Sequence, residues 1–148
     1  MRVLAVDSGE KRIGLAISDV EGKVARSLRI FSHINRLQDA HVIYTTAMEM
    51  DVQMIIVGYS VDESGQPNLA GRRTKHLAEE IRRLGDIPVE LWDESLSTKD
   101  AQEIRRKAGF KRKNRGGHLD DIAAAVILQS YLDVINDMSR IGHDENNE

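Results

Sequence analysis

The chain has no cysteine. Disulfides, thiolate-bound zinc, iron–sulfur clusters and thiol catalysis are therefore excluded. No apolar run approaches the roughly 20 residues that a membrane span needs. The N-terminal MRVLAVDSGEKR is too briefly apolar, and acidic too early, for a secretory signal. The expectation is a soluble cytoplasmic protein that makes no membrane contact. A strong charge of one sign is also missing: 21 Lys+Arg stand against 24 Asp+Glu, a net −3. That balance does not indicate a globally basic nucleic-acid binder, although it leaves room for a local basic patch. Neither GxGxxG nor GxxxxGK[ST] occurs, which removes the usual Rossmann and P-loop readings. Ser8, Ser60 and Ser95 have no His–Asp arrangement or nucleophile elbow around them, so serine hydrolysis has little support.

The 148 residues, 41% hydrophobic and 30% charged, suit one globular domain. A chain of this length buries about 70% of its unfolded surface on folding. Residues 1–138 are expected to form the domain and 139–148 a polar, acidic tail that frays.

Pattern suggests a strand over 2–7, turn chemistry at Asp7-Ser8-Gly9-Glu10, a second strand over 13–18 and a third over 23–30. Leu37, Ala40, Tyr44, Ala47 and Met48 recur at helical spacing, which predicts a helix over 36–50. Met54-Ile55-Ile56-Val57 reads as a buried strand ending at Gly58. Pro67 suits the start of a helix carrying the stripe Ala70, Thr74, Leu77, Ile81 and Leu84, with Gly85 as its stop. A short strand over 88–92 contains the only tryptophan, Trp92, read as core. A short helix from Ser97 to Ala108 and a long, largely buried helix over 122–138 complete the chain. Three meandering strands followed by two strands reached through helices predict an α/β fold: a five-stranded mixed sheet flanked by helices. Right-handed crossovers are expected to set the fourth and fifth strands beside the first.

Acids fall at the polar ends of apolar elements. Asp7 ends the first strand, Asp93 and Glu94 end the fifth, and Asp120 and Asp121 begin the last helix. Carboxylates drawn from separate segments, with no cysteine, suit hard cations such as Mg²⁺ or Mn²⁺. Two such ions about 3.5–4 Å apart can activate water and stabilise a leaving oxygen in phosphodiester cleavage. Each acid alone also fits a plainer role. Asp-x-Gly is commonly a turn, an acid at a helix start is commonly a cap, and Glu94 fits a solvated loop. The second signal is basic. Arg105, Arg106, Lys107, Lys111, Arg112, Lys113 and Arg115 place 7 of the 21 Lys+Arg in 11 residues with no acid between them, just before the acids of the last helix. Such a run can grip a phosphate backbone or can simply be a solvated loop. With only Phe110 there to stack on a base, it does not suggest sequence-specific readout. Lys11-Arg12 and Arg72-Arg73 can extend the same surface. His33, His41 and His76 fall on or near helices, and His118 reads as a helix-start residue or a phosphate contact.

At these residues the sequence resembles the YqgF/RuvX family of bacterial proteins, which have an RNase H-like fold. The resemblance spans about residues 1–135. It rests on the D-x-G-x-K-R-I-G-x-A-x-S-D pattern at Asp7–Asp19, on Ile56-Val57-Gly58, on Trp92–Thr98 and on the D-x-x-A-A-x-x-I-L-Q pattern from Asp120 to Gln129. It implies a nuclease with a two-metal site, Mg²⁺ or Mn²⁺, held by the catalytic acids Asp7, Glu94 and Asp120. Asp120, not Asp121, keeps the spacing to Ala123-Ala124 and Ile127-Leu128-Gln129. Such proteins are described as Holliday-junction resolvases or as nucleases that trim the 5′ end of pre-16S rRNA. The chain departs from the pattern in having Ser95 where Arg is common, Tyr59-Ser60 where Leu-Pro is common, and Ser8 where an apolar residue is common.

The leading expectation is thus a metal-dependent nuclease acting on structured RNA in ribosome biogenesis. Lys11, Arg12, Arg105, Arg106, Lys111, Arg112, Lys113 and Arg115 would hold the nucleic acid. Resolution of four-way DNA junctions, which needs a dimer, and binding without catalysis are the alternatives. The chain is expected to work as a monomer or homodimer, on nucleic acid and ribosomal precursors. An actin-like ATPase reading fails because the length leaves no room for two lobes.

Overall fold

The computed structural model describes the backbone of residues 1–61, 64–66, 68–94 and 119–145, with side chains up to residue 94 and over 122–139. Five strands form one sheet: β1 (Val3–Ser8), β2 (Arg12–Ser18), β3 (Ala25–Ser32), β4 (Met54–Tyr59) and β5 (Val89–Asp93). The helices among the described residues are α1 (Arg36–Glu49), α2 (Leu69–Arg82) and α3 (Leu119–Glu145). Strand order is β3-β2-β1-β4-β5. The first three strands are an antiparallel meander, and β4 and β5 run parallel to β1. The fourth strand lies beside the first as expected; the fifth does not. With β2 on one side of β1 and β4 on the other, no edge of β1 is left, and β5 adds outside β4.

Strand alternation divides the core between the two faces of the sheet. Leu4, Val6, Ile13, Leu15, Ile17, Ile55, Val57 and Val89 pack with Ala40, Ile43 and Ala47 of α1 and Leu77, Ala78 and Ile81 of α2. On the other face Val3, Ala5, Ala16 and Ile56 meet Ala124, Ile127, Leu128, Tyr131 and Leu132 of α3. Ala5 and Ala16 are directly paired across β1 and β2. Two small side chains at that point let α3 lie close to the backbone of the sheet.

The α1 stripe is rotated from the expected one. Leu37 and Met48 are exposed, and the inward residues are Asp39, Ala40, Ile43, Thr46 and Ala47. Asn35 caps this helix, its side chain accepting the Gln38 N–H at 2.8 Å. Asn68 caps α2 in the same way through the Gly71 N–H at 2.8 Å. The stretch containing Pro67 and the predicted helix over 97–108 lie outside the described residues. Ala70 is exposed rather than part of the inward face of α2. Gly85 is not a left-handed helix stop, because α2 ends at Arg82 and Gly85 has no positive φ. It is glycine because a Cβ there would run into the Tyr44 ring. β3 starts two residues later than predicted, and α3 extends past both predicted ends, to Leu119 and Glu145. No helix among the described residues is long and apolar enough to cross a membrane.

The end of α1 supplies a test. Val52 N–H donates to Ala47 C=O at 2.9 Å and Asp51 N–H to Met48 C=O at 3.3 Å. This pair of bonds is the Schellman closure, which puts the residue after the cap in the left-handed region. Here that residue is Asp51, at φ 54°. A side chain pays about 1 kcal/mol for that conformation and glycine does not. Asp51→Gly is therefore expected to stabilise the fold by up to about 1 kcal/mol, less the entropy that glycine adds to the unfolded chain. Urea denaturation measures it, and a destabilised variant would contradict the assignment of strain.

Candidate active site

Position along the strands decides which acids meet. In β1, Val3 and Ala5 face α3, so alternation carries Asp7 to that face and Ser8 to the face of α1 and α2. In β4, Met54 and Ile56 lead to Gly58 on the α3 side. Trp92 of β5 also packs on the α3 side, and Glu94 follows two residues later. The parallel register pairs Val6 with Val57 and Gly58 with Trp92. That register sets Asp7 level with Gly58 and leaves Glu94 two residues beyond the same row, all three at the carboxyl ends of neighbouring strands, where side chains in parallel sheets commonly form sites.

Gly58 allows the two acids to meet across the intervening strand. A Cβ on Gly58 would lie 3.1 Å from Glu94 Oε1 and 2.8 Å from Ile127 Cδ1. The absence of a side chain is the space that the Glu94 carboxyl occupies, and Glu94 hydrogen-bonds Asp7. Burial, first, then the charge of Asp7, the hydrogen bond to it and the charge of Asp93 push the Glu94 carboxyl up to about 7. The Glu94 carboxyl thus keeps its proton to a higher pH than a free carboxyl does.

Trp92 anchors this end of β5 to α3. Its indole N–H donates to Ser130 Oγ at 2.9 Å, Ser130 donates on to Ile127 C=O at 2.7 Å, and the ring meets Tyr131 edge-on at 5.2 Å. The same helix begins at Leu119, so its first turn contains Asp120 and Asp121; their side chains lie outside the described residues. Among the described residues no group of three or more His, Asp or Glu is arranged to hold a metal ion. The described part of the site is the Asp7–Glu94 pair.

Lys11 and Arg12 are brought to this place. With Asp7, Gly9, Glu10 and Gly14 they line an open cleft of about 350 Å³ at the β1–β2 turn. Arg105, Arg106, Lys111, Arg112, Lys113, Arg115 and His118 lie outside the described residues. Sequence reasoning treated Gly58 as a strand end and missed that it makes room for Glu94. Its sequence signal is faint: a glycine closing a run of buried residues one strand away from both acids.

The RuvX family profile, described as Holliday junction resolvase, matches residues 1–134. A protein of Syntrophus aciditrophicus is 37% identical over 136 residues, covering 92% of this chain and 91% of its own. One from an Anaeromyxobacter species is 40% identical over 133 residues, covering 90% and 97%. Both carry the curated name "Putative pre-16S rRNA nuclease". In three dimensions the chain is similar to Thermus thermophilus RuvC in complex with a Holliday junction substrate, at TM-score 0.58 and 18% identity over 90% of this chain and 96% of that one. The fowlpox virus resolvase, with its junction DNA, aligns at TM-score 0.53 and 17% identity over 91% and 99%. At such identities the likeness concerns the fold, which is RNase H-like.

The carboxyl pair has a consequence for stability. A free Glu94 titrates at 4.5 and the folded one at about 7, so between these pH values the folded chain holds more protons than the unfolded one. Stability from this group is full below pH 4.5, falls as pH rises and is lost above about 7. Urea titrations without divalent cations are expected to show this slope in the wild type and not in Glu94→Gln. Identical slopes in the two proteins would contradict the raised titration of Glu94.

Proposed function

The chain belongs to the RuvX family, and on that premise we propose that it is a divalent-cation-dependent nuclease that trims the 5′ end of pre-16S rRNA. The observation that carries this reading is the Asp7–Glu94 pair held together at the carboxyl edge of the sheet. Two carboxyls forced so close form a site with surplus negative charge and hard oxygen donors. That donor set fits Mg²⁺ or Mn²⁺ and not a soft metal. Asp7 and Glu94, joined by Asp120 from the first turn of α3, would hold the cation. When bound, it lowers the pKa of water and neutralises charge developing on the phosphoryl oxygens.

The chain's own groups do the rest. Gly58 keeps the Glu94 carboxyl beside Asp7. Lys11 and Arg12, in the cleft with Asp7, attract and orient the phosphate backbone. The basic segment from Arg105 to Arg115 extends that grip. Protons and cations compete for the Asp7–Glu94 pair, so cation affinity rises as pH passes about 7. With ribosomal precursor as substrate, the protein works in the cytoplasm.

The test incubates wild type, Asp7→Asn and Gly58→Ala with the 5′ leader of pre-16S rRNA and with a four-way DNA junction, each with Mg²⁺ and with Mn²⁺. Wild type is expected to cut the RNA, and Asp7→Asn to lose at least about a hundredfold in rate, more than the loss of an outer-shell partner of a metal costs. Gly58→Ala is expected to fold with a loss of about 1–3 kcal/mol from overpacking. Its cleavage rate should still drop about tenfold, because the new methyl displaces the Glu94 carboxyl. Unchanged cleavage by Asp7→Asn would overturn the site. A cut junction beside intact RNA would overturn the substrate.

A further inference from the structure

A second cavity lies at the same edge of the sheet, on the face of Ser8 rather than Asp7. Its volume is about 310 Å³, at the small end of the range for sites that enclose one small molecule. Ile34, Ala70 and Leu77 give it apolar walls, and His33, Arg36 and Arg73 also line it. Leu77 is core, but Ile34 is 69% exposed, a large aliphatic side chain left in water beside a cavity.

The His33 ring is fixed in place. Its Nδ1 bonds Asp39 Oδ2, and Asp39 Oδ1 accepts the Ile34 N–H at 3.1 Å. Asp39 is buried, and each of its oxygens already has a partner. The carboxylate therefore serves to orient the imidazole, which lines the cavity. The Arg73 guanidinium lies 3.4 Å from Glu10 across the rim.

Gly9 and Glu10 line both this cavity and the cleft that contains Asp7, Lys11 and Arg12. A strand with a phosphate in that cleft crosses the Gly9–Glu10 turn to reach the cavity. An oriented imidazole and arginine side chains are surfaces on which unstacked bases settle in single-strand recognition, and the aliphatic walls enclose the rest of such a ring.

We propose that this cavity receives one unstacked nucleobase of the RNA strand, adjacent to the phosphate that is cut. The proposal rests on the nuclease reading above and deepens it. It makes an unpaired nucleotide beside the cleavage point a requirement of the substrate, so the enzyme selects single-stranded leader over duplex.

The experiment uses Asp7→Asn protein with Mn²⁺, so that bound strands stay intact. Leader RNAs carry 2-aminopurine at successive positions, or an abasic nucleotide at one of them. Quenching is expected at one position next to the wild-type cut. An abasic nucleotide there should weaken binding about tenfold, the scale of one lost base stack. Ala70→Phe, at an exposed position in the first turn of α2, fills the cavity. It should abolish that quench and weaken binding of intact leader by the same factor, with no further loss on the abasic strand. Ile34→Glu, on the exposed rim, repeats the measurement should Ala70→Phe fail to fold. Quenching at no particular position, or independent losses from the variant and the abasic strand, would overturn the proposal. So would free 2-aminopurine ribonucleoside monophosphate binding as tightly as the strand, which would assign the cavity to a nucleotide in solution. Wild-type cleavage of the same leader reports separately on the nuclease reading.

Discussion

Two carboxyl groups with a like charge do not come together unless the fold forces them, and here the force is the sheet. Asp7 and Glu94 end strands that are not neighbours, with β4 between them. Any side chain at the end of β4 on that face would hold them apart. Gly58 removes it, and the carboxyl of Glu94 takes the volume. Burial first, and then the charge of Asp7, push the Glu94 carboxyl above the ordinary carboxylate range. The pair is sustained by packing elsewhere: Trp92 bonded to Ser130, Ile127 over Gly58, and α3 seated on Ala5 and Ala16. The sheet and α3 thus hold a local conflict of charge in place.

Several residues of the two sequence patterns act on the frame and not on the chemistry. Ser18 accepts the Val3 N–H at 2.8 Å, and Asp19 accepts the N–H groups of Lys23 and Val24 at 2.7 and 3.1 Å, which hold its carboxyl below the ordinary range. Gln129 accepts the Ala25 N–H at 2.9 Å and donates to Lys23 C=O at 2.9 Å. One helix side chain thereby fastens the β2–β3 turn to α3. These bonds tie α3, which carries Asp120 and Asp121 in its first turn, to the meander.

Much of this was legible in the sequence because it depends on local pattern. The short apolar runs of β1, β2 and β4 and the acids that end β1 and β5 all follow from residue type and polarity. The inward face of α1 did not, because Asp39 belongs to it, and an acid reads as a solvent-facing residue until its His33 partner is seen. The stop at Gly85 did not, because the glycine answers to Tyr44, some forty residues away in sequence. The position of β5 was misplaced by one strand, since a crossover rule gives handedness and not which edge is still open. Gly58 and the cavity beside His33 belong to the same class: each is assembled from three or more segments, and no window along the chain contains it.

The alternation that brings Asp7 to one face sends Ser8 to the other, and this links the two cavities at the sheet edge. They are not independent features placed near each other by chance. Both border the Gly9–Glu10 turn, and Gly9 is held there by its N–H bond to Arg12 C=O at 2.9 Å, where a Cβ would lie 2.8 Å from the same oxygen. The turn is therefore closed tightly at a position where only glycine fits, and its width sets how far a strand must travel from the carboxylates to the apolar pocket. A register slip of one residue in β1 would turn Asp7 toward α1 and α2 and Ser8 toward Glu94. The buried pairs of β1 with β2 and β4 that prevent such a slip are thus also what fixes the spacing between cutting and holding the strand.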